Sequence, residues 1–308
     1  MALLLTPLFG GPEVWRRELA AAMPELEVRI WPDIGDPADI EAAAILALPP
    51  GELAKLPNLR LILSLTAGTD SLLRDPDLPD VPIVRAGDPA GDAMMNETAL
   101  LHVLRHHRNM PAYLAAQTRR EWKKLPIKQA SERTVGVMGL GTIGVVCART
   151  VASLGFPVAG WVRQVRDESG IEVFAGRELL GAFLARSEIL LNLLPLTGET
   201  RGIINAETLA MLPAGAAVIN LGRGEHVVEK DLMAALDSGH LAAATLDVYP
   251  VEPLPKESPL WAHPKITVMP HVARKIDPSD LAPRICALLR DFRAGRPLGQ
   301  LVDRKRGY

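Results

Sequence analysis

Short apolar runs of Leu, Ile, Val and Ala alternate along the chain with longer amphipathic or alanine-rich segments, the pattern of parallel strands covered by helices. Two such series occur. The first predicts strands at Leu3–Leu5, Val28–Trp31, Ala44–Leu48, Arg60–Leu65 and Pro82–Val84, with helices near Glu13–Ala22, Glu52–Leu56 and Ser71–Arg74. The second predicts strands at Thr134–Met138, Val158–Val162, Ile189–Leu193, Ala217–Asn220, Ala243–Asp247 and Ile266–Met269, enough for a complete doubly wound sheet. Between the two series, residues 96–117 place Leu100, Val103, Leu104 and Tyr113 largely on one face and predict a single long helix bridging two domains. The C-terminal segment holds one more helix, Pro278–Arg293, too little for a domain of its own. It is expected to fold back on the N-terminal unit, so that the chain crosses between domains twice.

The fold class expected is therefore α/β, with two doubly wound parallel-sheet domains: a larger Rossmann-type one over residues 96–270, and a smaller flavodoxin-like one built from 1–95 and 271–308. A length of 308 residues agrees with two domains. With 48% apolar and 23% charged residues the composition is that of a soluble globular protein, and a formal net charge of -2 gives no electrostatic case for nucleic acid or an anionic membrane. Partners are expected to be small molecules. The opening "MALLLTPLFGG" has no basic segment before its apolar run, and no apolar stretch approaches the ~18–20 residues of a membrane span. The expectation is a cytoplasmic protein. Cys147 and Cys286 lie far apart in helical-looking segments and read as reduced, buried thiols.

The stretch "TVGVMGLGTIG" changes the picture. Gly139, Gly141 and Gly144 fit G-x-G-x-x-G, with a strand before and a helix after. The first glycine permits the tight turn, the second lets the backbone approach a pyrophosphate, and the third lets helix and strand pack closely. The helix start at Thr142, Ile143 and Gly144 then offers unpaired N–H groups to phosphates. For NAD the next strand should end in an acidic residue for the ribose 2′-OH. Val162 stands there, followed by Arg163 and Arg166, which could pair with a 2′-phosphate. NADP(H) is expected over NAD(H), which stays possible; the plain alternative is that these arginines are solvated loop charges.

Ligands of open parallel sheets bind outside the carboxyl ends of the strands, and three polar residues stand there: Arg223 in "VINLGRGEHV", Glu252 in "LDVYPVEP" and His271 in "ITVMPHVAR". Singly each has a plain reading, as a bend charge, a turn carboxylate and a structural histidine. Together with "LLPLTGETRGIIN", "VINLGRGEHVVEKDLMAAL" and "MPHVA", they make the sequence resemble the D-2-hydroxyacid dehydrogenases over essentially its whole length, and most closely their glyoxylate/hydroxypyruvate reductase branch. The resemblance implies that Arg223, Glu252 and His271 are the catalytic residues. It also implies a substrate-binding role for the N-terminal unit with the C-terminal helix, and a homodimer. It places Leu194, Pro195, Thr200, Leu221, Gly222 and Asp247 beside the cofactor.

The chemistry asks for those residue types. Hydride added to the carbon of a 2-oxo acid leaves charge on the carbonyl oxygen, which His271 can protonate because imidazolium titrates near neutrality. Glu252 beside it would favour the charged ring. Arg223 offers a planar fork to the substrate carboxylate and can polarise the carbonyl. In "LTAGTD" the amides near Ala67 and Gly68 could form a nest for the same carboxylate, as the resemblance implies, or Thr66 or Thr69 could simply cap a helix.

Two positions depart from the family pattern. Arg274 stands where a small residue is usual, and Ala47–Leu48 where related reductases carry a tryptophan; both leave the preferred substrate open. His102, His106 and His107 share a helix face without completing a ligand set, so no metal is expected and interdomain packing is the expected role. Two alternatives to a glyoxylate/hydroxypyruvate-type reductase stand: a non-enzymatic NAD(P)-sensing regulator on the same fold, and an NAD-linked dehydrogenase of other substrate range.

Overall fold

The computed structural model describes residues 2–6, 10–66, 68–87 and 93–307. In chain order the first elements are β1 (Ala2–Leu5), α1 (Gly11–Ala22), β2 (Glu27–Ile30), β3 (Ile40–Ile45), β4 (Leu61–Ser64), α2 (Asp70–Leu73) and β5 (Ile83–Arg85). Then come α3 (Ala93–His107), α4 (Met110–Thr118), β6 (Val135–Met138), α5 (Thr142–Ser153), β7 (Val158–Val162), β8 (Glu172–Ala175), α6 (Leu180–Leu184) and β9 (Ile189–Asn192). The chain continues with α7 (Ala206–Ala210), β10 (Ala216–Asn220), α8 (Glu229–Asp237), β11 (Leu241–Leu246), β12 (Ile266–Val268) and α9 (Pro278–Arg293).

Contacts divide the chain into two compact units, one of 1–89 with 275–308 and the other of 90–274. The first holds a parallel sheet of five strands in the order β2-β1-β3-β4-β5, the flavodoxin-like arrangement. Its central strands are buried on both faces, as at β1, where Leu3 and Leu5 pack with Trp15 and Leu19 of α1 and with Ile285 and Leu289 of α9. Leu4 faces the other side, with Ile40, Ile62 and Ile83. The C-terminal helix thus completes the core of the N-terminal unit.

The second unit holds seven parallel strands in the order β12-β11-β10-β9-β6-β7-β8, a Rossmann sheet with one strand added at an edge. Alternation along each strand separates two cores: Met138, Leu190 and Val218 face one side, and Val137, Leu191 and Ile219 the other. Because all strands run parallel, every loop after a strand emerges at the same edge of the sheet.

Several elements differ from the sequence expectation. Six strands were expected in the second sheet, and β8 makes the seventh. It is a four-residue edge strand in which only Ala175 is fully buried, and its apolar run is just Val173, Phe174 and Ala175, shorter than those of its neighbours. The single helix expected over 96–117 is two, because Asn109 takes a left-handed conformation (φ 56°) and Pro111 begins the next helix. The strand expected at Ala44–Leu48 lies earlier, as β3, and includes the partly exposed Glu41. Residues 53–55 form only a single 3-10 turn.

Candidate active site

The cofactor loop joins β6 to α5. Gly139 turns the chain in a left-handed conformation (φ 93°), and a Cβ there would sit 3.0 Å from the carbonyl oxygen of Leu193 in the loop after β9. A Cβ on Gly144 would lie 1.8 Å from the carbonyl oxygen of Gly139, so strand and helix approach as closely as the motif requires. At Gly141 a Cβ would meet nothing within 4 Å. That open space lies over the first turn of α5, where Thr142 and Ile143 present N–H groups with no partner in the helix. The loop is therefore a cradle that any side chain at 141 would fill, and its residues fit a dinucleotide pyrophosphate.

Beyond it, β7 ends at buried Val162 with no carboxylate, and Arg163 follows, exposed. Arg166 folds across to the cofactor loop and donates to the Leu140 carbonyl at 2.6 Å and to Glu168. Glu168 is only 7% exposed and also receives Arg149 at 3.0 Å. On the loop after β9, Leu194 is buried and the Thr200 hydroxyl is committed to the turn, donating to the Pro195 carbonyl at 2.7 Å.

The three candidate catalytic residues follow β10, β11 and β12. His271, on the loop after β12, holds a left-handed conformation (φ 53°) and sets Nδ1 2.7 Å from Oε2 of Glu252. Glu252 Oε1 accepts the Tyr249 amide at 2.9 Å, which fixes the carboxylate against its own turn. Asp247, at the end of β11, is 1% exposed and takes both amides after the histidine, Val272 at 2.9 Å and Ala273 at 3.0 Å. Burial raises the Asp247 carboxyl above the usual range, against the lowering effect of those two amides. Asp247 thus secures the loop that carries His271.

Arg223 begins a 3-10 turn after β10 and donates from Nη1 to the Gly222 carbonyl at 2.9 Å. A Cβ on Gly224 would lie 1.9 Å from the Tyr249 carbonyl carbon, so only glycine lets the Arg223 turn press against the segment leading to Glu252. Leu221 is buried, and the Gly222 amide donates to Asn220 Oδ1 at 3.1 Å.

These motifs recur in known proteins. The profile described as "D-isomer specific 2-hydroxyacid dehydrogenase, NAD binding domain" matches residues 100–273. The chain belongs to the D-isomer specific 2-hydroxyacid dehydrogenase family. It is accordingly an NAD(P)-dependent oxidoreductase. Glyoxylate/hydroxypyruvate reductase A of Salmonella newport (strain SL254) is 41% identical over 302 residues, 96% of each chain. A family member from Xanthobacter autotrophicus Py2, solved in complex with NADPH and MES, is 45% identical with a TM-score of 0.94 over 100% of this chain and 99% of that one. The NADPH-dependent glyoxylate/hydroxypyruvate reductase of Sinorhizobium meliloti, solved with NADP and sulfate, is 38% identical with a TM-score of 0.91 over 100% of each chain.

In the first unit, Ala67 lies outside the described residues. Around it the Ser64 hydroxyl donates to the Thr66 carbonyl at 3.1 Å, and the Thr66 hydroxyl to the Gly68 carbonyl at 2.5 Å. Thr69 precedes α2 but its hydroxyl makes no cap; it is buried with no hydrogen-bond partner among the described residues. Ala47 and Leu48 line a pocket of this unit with Ile45, Leu53, Ser64 and Thr66.

Two of the three histidines of α3, His106 and His107, are corrected from interdomain packing to packing inside the second unit, and His102 is buried. His106 Nε2 lies 2.9 Å from the Thr245 hydroxyl of β11, and His107 meets Phe156 edge-on with ring centroids 4.8 Å apart. No group of three potential metal ligands occurs among the described residues, and no helix there is long and apolar enough to cross a membrane. Sequence reasoning also passed over Glu168, Asn192, Asn220 and His226. Nothing in their local pattern marks them as a set, since Asn192 meets the side chains of Asn220 and His226, and Glu168 meets Arg149, only across separate elements.

Proposed function

We propose that the chain is an NADPH-dependent reductase of small 2-oxo acids of the glyoxylate and hydroxypyruvate type, forming D-2-hydroxy acids. The observation that carries this reading is the His271–Glu252 pair, held by Tyr249 and Asp247 at the same sheet edge as the dinucleotide cradle. A protein that only senses the cofactor needs the cradle but not the pair.

When bound, the reduced nicotinamide supplies a hydride to the carbonyl carbon. With Nδ1 of His271 turned to Glu252, Nε2 is the nitrogen that delivers a proton to the carbonyl oxygen as its charge grows. Glu252 holds the ring's orientation and balances its positive charge. Arg223 pairs with the substrate carboxylate and draws charge from the carbonyl. Gly68 and Ala67 are the proposed contacts to the same carboxylate from the first unit, which serves as the substrate-binding domain. Gly139, Gly141, Thr142, Ile143 and Gly144 hold the pyrophosphate; Leu194, Pro195, Thr200, Leu221, Gly222 and Asp247 line the nicotinamide side.

The missing acid after β7, with Arg163 and Arg166 beside it, favours NADPH, and the reductase from Sinorhizobium meliloti is described as NADPH-dependent. A homodimer is part of this proposal; Leu101, Leu114, Trp122 and Ile127 leave apolar side chains exposed for such an association.

Purified protein supplied with NADPH or NADH and a panel of 2-oxo acids tests the reading. Consumption of NADPH with glyoxylate or hydroxypyruvate, and a D-configured product from hydroxypyruvate, is expected. Cofactor binding without turnover of any member would overturn it.

A further inference from the structure

The main chain of Arg223 is clamped at both ends by side chains that the reaction itself does not use. Its N–H donates to Nδ1 of His226 at 3.1 Å, and its carbonyl accepts from Nδ2 of Asn220 at 2.9 Å. His226, Asn220 and Asn192 are each 0% exposed.

A backbone N–H can only donate, so Nδ1 of His226 must be a bare acceptor. The ring is then neutral, with its proton on Nε2 facing the Pro195 carbonyl at 3.3 Å. Asn192 agrees with this assignment. Its Oδ1 accepts the Leu194 amide at 3.2 Å, which leaves Nδ2 to donate to Asn220 Oδ1 and to the same Nδ1, each at 2.9 Å. Asn220 is fixed in turn, since Oδ1 accepts the Gly222 amide. The network ties the loop after β9 to the turn after β10, and each amide is oriented by a backbone group of known polarity.

We propose that His226 is a positioning residue for the reaction: through Nδ1 it holds the main chain at Arg223, and so aims the guanidinium at the substrate carboxylate. This rests on Arg223 being the carboxylate anchor. A ring that merely stitched two loops together would need only Nε2 on Pro195 and Nδ1 on Asn192. The bond addressed to Arg223 itself is what separates the two roles.

Two substitutions divide the ring. In His226→Asn the side-chain oxygen takes the place of Nδ1, whereas in His226→Gln the amide reaches only the place of Nε2. The measurements are KM for glyoxylate, KM for NADPH and the melting temperature, with Arg223→Gln as reference. His226→Gln is expected to raise KM for glyoxylate about tenfold with little change for NADPH, and His226→Asn to stay within about twofold of the unaltered enzyme, the split expected when substrate binding alone is disturbed. An unchanged KM for glyoxylate in His226→Gln, or equal rises in both variants, would overturn the inference while a raised KM in Arg223→Gln left the anchor intact. An unchanged KM in Arg223→Gln would remove the anchor, and the inference with it. Nitrogen NMR of the imidazoles in the unaltered protein gives an arm that needs no variant: His226 is expected to carry its proton on Nε2, and a proton on Nδ1 would contradict the proposal.

Discussion

Glu252 divides its carboxylate between His271 and its own turn: Oε2 lies 2.7 Å from His271 Nδ1, and Oε1 accepts the Tyr249 amide at 2.9 Å. The pair is half open to solvent, with side-chain exposures of 51% for His271 and 33% for Glu252. Such an exposed pair adds little stability, and in the proposed function it serves to orient the ring and balance charge. Glu252→Gln keeps the shape and removes the charge. It is expected to lower kcat while KM for NADPH holds, by less than the about 10²–10⁴-fold that a general acid itself contributes. Steady-state kinetics at fixed pH checks this, and an unchanged kcat would remove Glu252 from the mechanism.

Asp247 acts one step further back. Both of its oxygens are spent on the amides of Val272 and Ala273, so it secures the strained backbone at His271 without touching the ring. Asp247→Asn sets an amide nitrogen against one of those donors. A loss of about 1–3 kcal/mol in stability is expected, the cost of a buried group left unsatisfied, with a fall in kcat larger than the change in KM. Urea unfolding together with kinetics separates the two effects; a variant of normal stability and normal kcat would contradict the assignment.

Much of this was legible in the sequence, for a physical reason. The glycine loop, the strands flanking it and the residues after β10, β11 and β12 are local patterns, readable because a parallel sheet delivers every strand end to one edge. His226, Asn192, Asn220 and Glu168 were not legible. Some of their bonds are short-range, such as His226 to the Arg223 amide and Asn220 to the Gly222 amide, but those that join separate loops, Asn192 to Asn220 and His226 and Glu168 to Arg149, exist only once the sheet has formed. The edge strand β8 and the break at Asn109 escaped for other reasons. For β8 the local signal is weak, whereas at Asn109 the signal is local, Asn109 and then Pro111, and the apolar spacing on either side of it runs across the break.

Cofactor choice follows from the end of β7. Val162 stands where an acid would accept the ribose hydroxyl, Arg163 and Arg166 follow it, and Arg166 reaches the Leu140 carbonyl inside the cofactor loop at 2.6 Å. Replacing both with Ala is expected to lower kcat/KM for NADPH about 10–100-fold with much less effect on NADH, in line with the loss of charge-assisted phosphate bonds. Equal losses with both cofactors would mean that the arginines support the loop and do not read the phosphate.

Two histidines of α3 should make the second unit acid-sensitive. Burial, with the nearby Arg105 charge, pushes His102 down to about 4. Burial pushes His106 down to about 3, helped by the charges of His102, Arg105 and Arg133. Both are lowered from an unfolded value of about 6.5, so the folded state resists protons that the unfolded chain takes up. The stabilisation is complete above about pH 6.5 and is lost as pH falls towards the folded values. Between pH 7 and pH 5 each ring costs on the order of 1–2 kcal/mol. His106→Gln, which can keep a bond to the Thr245 hydroxyl, should show a shallower loss of stability over that range in urea unfolding. An equal slope would place the acid sensitivity elsewhere.

The central claim is that His271 completes a reduction by giving up a proton, and one comparison tests it most directly: turnover of NADPH with hydroxypyruvate by the unaltered protein and by His271→Gln, with the NADPH dissociation constant measured for each. The account predicts a fall in kcat of about 10²–10⁴-fold in the variant, the range expected for loss of a general acid, at an unchanged dissociation constant. A variant that reduces hydroxypyruvate at a near-normal rate would contradict it.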